Sequence, residues 1–139
     1  MTGINTNPTF GRTPLLAAVR IATANTNRDG TGTLGDLYAE PTAANGGDGA
    51  IFDRVSISAT AATTAGMIRF FDYDGTNNRF LIERLVSAIV TPSATVKSFN
   101  DEVNRSDGLP AFTVMPGHTL RVSTHIAESF DIVGQGRRY

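Results

Sequence analysis

His118 and His125 are the only imidazoles in the chain, and imidazole is the side chain best placed to move a proton near neutral pH. They stand at opposite ends of a segment, residues 119–126, in which Leu120, Val122, Thr124 and Ile126 alternate with polar neighbours as in a strand. An odd separation along a strand sends the two rings to opposite faces. They cannot share a metal within that strand, and surface or interface positions are expected for both. The carboxylates Asp72 and Asp74 flank Tyr73, with Glu83 on the returning strand. Alternation puts the two Asp side chains on one face, near enough to share a proton or a cation, as in a glycosidase pair. Asp74, however, precedes the turn glycine Gly75, Asp72 lies near a strand end open to water, and there is no tryptophan to act as a sugar platform. Asn25-Thr26-Asn27-Arg28-Asp29-Gly30-Thr31 traces the outline of a calcium loop, with Asp36 at its twelfth place. Asn25 replaces the first Asp, Gly32 the apolar eighth residue and Asp36 the long bidentate Glu, so a hairpin turn is expected instead. No serine sits in a nucleophile elbow. Asn45-Gly46-Gly47-Asp48-Gly49 lacks the Lys-Ser/Thr and following helix of a phosphate cradle. The residues assemble no catalytic set, cofactor site or metal site, and a non-enzymatic role is expected.

The element that must position most of these groups is the stretch 66–86. Two apolar and aromatic runs flank Asp74-Gly75-Thr76-Asn77-Asn78, a cluster that tolerates positive φ and caps turns, so a β-hairpin is expected. On its first strand Ile68 and Phe70 point one way and Met67, Phe71 and Tyr73 the other, separated only by Arg69. On its second, Phe80 and Ile82 stand opposite Leu81, Glu83 and Leu85. Two apolar faces imply that the second is covered, by the chain itself or by another subunit. Gly75, and Gly117 after Pro116, are expected at positive φ in their turns.

With 139 residues and no cysteine, one domain can bury a core without disulfides or metal. The opening MTGINTNPTFGRT has neither the basic nor the apolar region of a secretory signal, and no apolar run approaches a membrane span. A formal charge of −1 argues against bulk capture of nucleic acid. Lys97 is the only lysine among twelve basic residues, and arginine suits interfaces through its planar, weakly hydrated fork.

Residues 1–13 have no periodicity and read as an extended arm. Residues 14–24 fit a strand or a short helix, with Val19 and Ile21 favouring the strand. Residues 40–49 form the longest expected loop. From 50 onward strands are expected at 51–60, 66–73, 79–90, 95–103, 112–115, 119–126 and 130–133, with a shorter one through Leu34, Leu37 and Tyr38 and a polar tail at 135–139. About eight short strands with turn signals every ten or so residues predict an all-β, antiparallel β-sandwich, jelly-roll-like, over residues 14–139.

The segments Thr64-Ala65-Gly66-Met67-Ile68-Arg69, Tyr73-Asp74-Gly75-Thr76-Asn77, Ile89-Val90-Thr91-Pro92-Ser93-Ala94-Thr95 and Arg121-Val122-Ser123-Thr124-His125 resemble small virion proteins of tailed bacteriophages, over about 51–136. The resemblance implies a structural protein of the particle, a capsid decoration (cement) protein made in the host cytoplasm and bound to the major capsid protein. Such proteins commonly form trimers and touch the shell through a terminal arm. A homotrimer is therefore expected, with Met67, Phe71, Tyr73, Leu81 and Leu85 between subunits. Ile4, Phe10 and Arg12 of the arm are expected against a neighbour or the capsid. A tail, fibre or head–tail connector component is the nearest alternative. From another class, a carbohydrate-binding module would use Tyr38, Tyr73 and Tyr139 as its platform.

Overall fold

Alternating apolar residues build nine strands in the computed structural model, which describes residues 13–105 and 107–139. These are β1 (Thr13–Ile21), β2 (Gly35–Ala39), β3 (Ala50–Ser58), β4 (Gly66–Tyr73), β5 (Asn78–Val86), β6 (Asn100–Val103), β7 (Phe112–Val114), β8 (Thr119–Thr124) and β9 (Phe130–Arg138). The one helical piece among the described residues is a 3-10 turn at Ala43–Asn45, and no helix is long and apolar enough to cross a membrane. One sheet has the order β1-β9-β3-β6, with β7 also on β3, and the other has the order β2-β8-β4-β5. Every strand pair is antiparallel. The expected all-β sandwich is what forms.

Its core lies between the sheets. Val55, Ile57, Phe130 and Ile132 enter from the first sheet, and Ile68, Phe70, Leu120 and Val122 from the second, all buried. Each such side chain contributes roughly 1.5–3 kcal/mol by leaving water. Phe70 meets Phe112 at 4.9 Å between ring centroids, closing the two layers on each other. The ambiguous segment at 14–24 is a strand as far as Ile21: β1 pairs with β9 along its whole length without a shift, and its inward residues Ala17 and Ile21 join the core.

Several strand ends shift by one to three residues from the sequence expectation, and three differences are larger or change the register. The C-terminal segment is a strand to Arg138 rather than a polar tail. Its inward positions there are Gly134 and Gly136, which contribute no side chain of their own. The Phe52 ring fills the space where a Gly134 Cβ would stand, 2.7 Å away, and the Ile51 carbonyl occupies the place of a Gly136 Cβ. β5 ends at Val86 and β6 begins at Asn100. Between them the Ser93 hydroxyl accepts the Thr95 and Val96 amides at 3.2 and 3.1 Å, holding a turn where strand was expected. Finally, β5 carries a bulge. Phe70 opposes Ile82 and Phe71 opposes Phe80, which leaves Leu81 as an extra residue. Gly75 and Gly117 do take positive φ, 98° and 78°.

Candidate functional site: the outer face of the second sheet

β4 is flanked by β8 and β5, so its outward residues Met67, Arg69, Phe71 and Tyr73 lie mid-sheet. Arg69 and Phe71 are fully covered by the chain itself, Met67 and Tyr73 in part. The β1–β2 connection, residues 22–34, is not the expected hairpin turn, because β1 and β2 lie in different sheets; it crosses this face as a strap. The Asn25 amide donates to the Thr124 carbonyl at 2.8 Å, Arg28 pairs with Glu83 of β5 at 3.4 Å, and Asn78 donates to the Gly30 carbonyl at 3.0 Å.

The strap is folded around Asn25, which is only 5% exposed. The side-chain amide of Asn25 donates to the carbonyls of Thr31 and Thr33 at 2.9 and 2.8 Å. Its oxygen accepts the Asn27 amide at 3.0 Å. Asp29 in turn accepts the Thr31 amide and hydroxyl, bonds that hold its carboxyl below the ordinary range. Of the residues that outline a calcium loop in the sequence, Asn25 and Asp29 bind the loop's own backbone, while Asp36 accepts from Arg121.

Beneath the strap Arg69 has no exposed surface. Its guanidinium donates to Glu83 at 3.0 Å, to the Asn25 carbonyl at 3.4 Å and to Nδ1 of His125 at 3.0 Å. A guanidinium only donates, so His125 Nδ1 accepts and its ring proton is on Nε2. A buried arginine persists only when paired and hydrogen-bonded, and here β5, the strap and the end of β8 each supply one partner. Ser123, opposite Arg69 in the register, is also buried. Its hydroxyl is the one buried side-chain polar atom among the described residues without a partner in the protein.

Of the five residues expected between subunits, Phe71 must be withdrawn. It is completely buried, with the Phe80 ring edge-on at 5.9 Å. The bulge at Leu81 is the reason, because it turns Phe80 onto the same face as Phe71 and moves Leu81 out of line with Leu85. Tyr73 is half-buried, one ring face taken by the Arg121 guanidinium at 3.7 Å, while its hydroxyl donates to the Gly75 carbonyl. Arg121 also donates to Asp36 at 2.8 Å and Asn78 at 3.3 Å. Met67 and Leu85 are cross-strand neighbours. Leu85 is 64% exposed and Leu81 40%. Ile4, Phe10 and Arg12 lie outside the described residues.

The carboxylates of the hairpin do not gather. Asp72 takes Nδ1 of His118 at 2.9 Å. Asp74 accepts the Asn77 and Thr76 amides at 2.8 and 2.9 Å, which, with a smaller contribution from Arg79, hold its carboxyl below the usual range. Glu83 serves Arg69 and Arg28. The two histidines serve opposite sides of the sheet, His118 beside inward Asp72 and His125 on outward Arg69. Of the tyrosines proposed as a sugar platform, Tyr38 packs edge-on against Phe52 at 5.8 Å, and Tyr73 has Arg121 over one face.

One polar cluster had no signal in the sequence. The Glu40 side chain is fully buried and accepts from Arg138 at 2.6 Å and from the Tyr38 hydroxyl at 3.2 Å. Burial and the Glu40 charge push the Tyr38 phenol up, with Arg138 opposing. This cluster ties the chain just beyond β2 to the end of β9, joining the two sheets through residues far apart in sequence. No protein-family model matches the chain, and no curated protein matches it.

Proposed function

We propose that the chain is a structural virion protein of a tailed bacteriophage that decorates the capsid, acting through association and shape rather than chemistry. The observation that carries this reading is the strand order. With β7 set aside, eight strands fall into two four-stranded sheets, the first strand beside the last and the second beside the next to last. That order supports the jelly-roll expectation, an architecture used by viral capsid domains and by lectins. The phage-like segments in β4, the hairpin turn and β8 favour the capsid over the lectin. The titratable groups are engaged in bracing: Arg69 under the strap, Glu40 between the sheets, and Arg84 on Asp101 at 2.9 Å across the sandwich edge. Such cross-bracing suits a disulfide-free protein that must keep its shape on a particle. Residues 1–12 precede β1, an edge strand, and in this reading they contact a neighbouring shell protein, the major capsid protein.

The test is attachment to capsids that lack the protein. The full-length chain is expected to bind such shells saturably, and deletion of residues 1–12 to weaken attachment sharply while leaving the melting temperature nearly unchanged. Binding to tail or fibre preparations instead of shells would move the protein to those compartments. Binding to isolated sugars on a glycan array, without affinity for shells, would replace the reading with a carbohydrate-binding one.

A further inference from the structure

Sheet edges expose unpaired N–H and C=O groups, and proteins protect them with short strands, bulges and charges. Four of the edge strands here are protected. β2 is five residues long and bulged between Asp36 and Tyr38. β6 and β7 have four and three residues. β5 is long, but it carries Arg79, Glu83 and Arg84 and is bulged at Leu81. β1 is different. It is nine residues long and pairs with β9 in unbroken register, and its protecting residues, Pro14 and the single charge Arg20, stand near its two ends, leaving Leu15–Val19 between them.

A second observation concerns its outward side. Leu16 is 69% exposed. Next along the same face is the small Ala18, in register with Val133 of β9. At Ala18 runs an open groove of about 420 Å³ lined by Ala18, Val19, Arg20, Asp131 and Val133. A large aliphatic side chain thus stands exposed beside a groove that could take one.

We propose that β1 pairs antiparallel with β1 of a second copy, about a two-fold axis through Ala17, so that each Leu16 enters the other copy's groove at Ala18 and Val133. In this register Leu15 faces the partner's Val19, Leu16 faces the partner's Ala18, and Pro14 faces the partner's Arg20. Side-chain direction alternates along a strand, so an axis through a residue keeps inward groups opposite inward groups, whereas an axis between residues would set core positions against solvent positions. Moving the axis to Leu16 would bring the two Leu16 side chains together and leave the grooves empty. Moving it to Ala18 would put Leu16 against the partner's Arg20. Either move shortens the ladder. Centred on Ala17, the pairing opposes no like charges, and Arg20 keeps its fork on Asp131 of its own chain at 2.7 and 3.2 Å. The apolar residues of β5 offer no comparable register, because the bulge at Leu81 exchanges faces midway along that edge. The proposal rests on the sandwich alone and stands apart from the virion reading.

Light scattering on the full chain at tens of micromolar is expected to give a dimer. Ala18→Lys puts a charge in the groove at an exposed position, and is expected to yield a monomer with an unchanged melting curve. Register is tested by disulfide trapping, for which the chain has no cysteine of its own. Opposed residues in an antiparallel pair lie about 4.5–5.5 Å apart between Cα atoms, within disulfide reach. An equimolar mixture of Leu16→Cys and Ala18→Cys proteins should cross-link on mild oxidation, each alone far less, and Leu85→Cys not at all. A wild-type monomer, an assembly that survives Ala18→Lys, or a mixture that cross-links no better than its components would each overturn the proposal.

Discussion

Asn25 offers the sharpest test of how the strap is held. Its side chain makes three hydrogen bonds, two donated to Thr31 and Thr33 and one accepted from Asn27, in a site where it is 5% exposed. Asn25→Ala removes all three. Each contributes about 1 kcal/mol net, and because Thr31 and Thr33 are exposed their freed carbonyls can be rehydrated, which keeps the loss near the simple sum, about 2–3 kcal/mol. For a chain of this size about 1 kcal/mol shifts the melting temperature by roughly 3–5 °C, so a fall of about 10 °C is expected. Asn25→Asp is nearly isosteric and keeps the acceptor for Asn27, yet it turns the two donated bonds into a carboxylate facing two carbonyls. It should therefore cost at least as much as alanine at pH 7. Thermal melts rank the variants, and amide exchange at Asn27 reports whether the strap has opened. If Asn25→Asp proves milder than Asn25→Ala, or if Asn27 stays protected in both, the donated bonds are not what holds the strap.

Four further expectations follow from the same geometry. Gly136→Ala drives a Cβ into the Ile51 carbonyl and should cost about 3–4 kcal/mol, the upper range for one substitution, read by denaturant titration. Gly75→Val meets no neighbour within 4 Å but must hold φ at 98°, so backbone strain alone should cost about 1–3 kcal/mol with no local repacking visible in NMR shifts beyond the turn. Ser123→Ala removes a buried hydroxyl that has no partner among the described residues and should leave stability unchanged or raise it by up to about 1 kcal/mol; a clear loss in the melt would mean the hydroxyl is bonded. The Asp101 carboxyl is held below its ordinary value chiefly by the Arg84 hydrogen bonds, against desolvation. A lowered folded value means the pair stabilises fully above about pH 4 and loses its effect as pH falls through that lower value, so the melting gap between wild type and Arg84→Met should narrow toward pH 2.

The sandwich was legible where strands show one buried face. Val55, Ile57 and Ala59, or Leu120 and Val122, alternate with polar residues and leave little choice of element. It was illegible where glycine stood in for an apolar residue. β9 looks polar after Val133 because Phe52, a residue of another strand, supplies the bulk that Gly134 omits. The register of β5 was hidden for the opposite reason: Phe80, Leu81 and Ile82 are all apolar, so a one-residue slip leaves no trace in the pattern.

The hairpin's second apolar face was readable as covered, but the cover was not. A strap that binds through backbone carbonyls, those of Asn25 and Gly30, uses groups that every sequence offers. The clue lay in the residue that interrupted the pattern. An arginine between Ile68 and Phe70 on a central strand cannot lie buried without partners, and Glu83 stands directly across the hairpin from it. The other two partners, His125 and the Asn25 carbonyl, could be found only in three dimensions. This occupancy changes where association must be sought. The argument for subunits meeting over Met67, Phe71 and Tyr73 assumed that face was free, and the strap, Phe80 and Arg121 already fill most of it. Among the described residues, the long and regular edge without a strand partner is β1, with Leu16 exposed beside a groove at Ala18. The apolar surplus of the hairpin is met largely within the chain on the face of β4, and the edge of β1 is where the proposed second copy would dock.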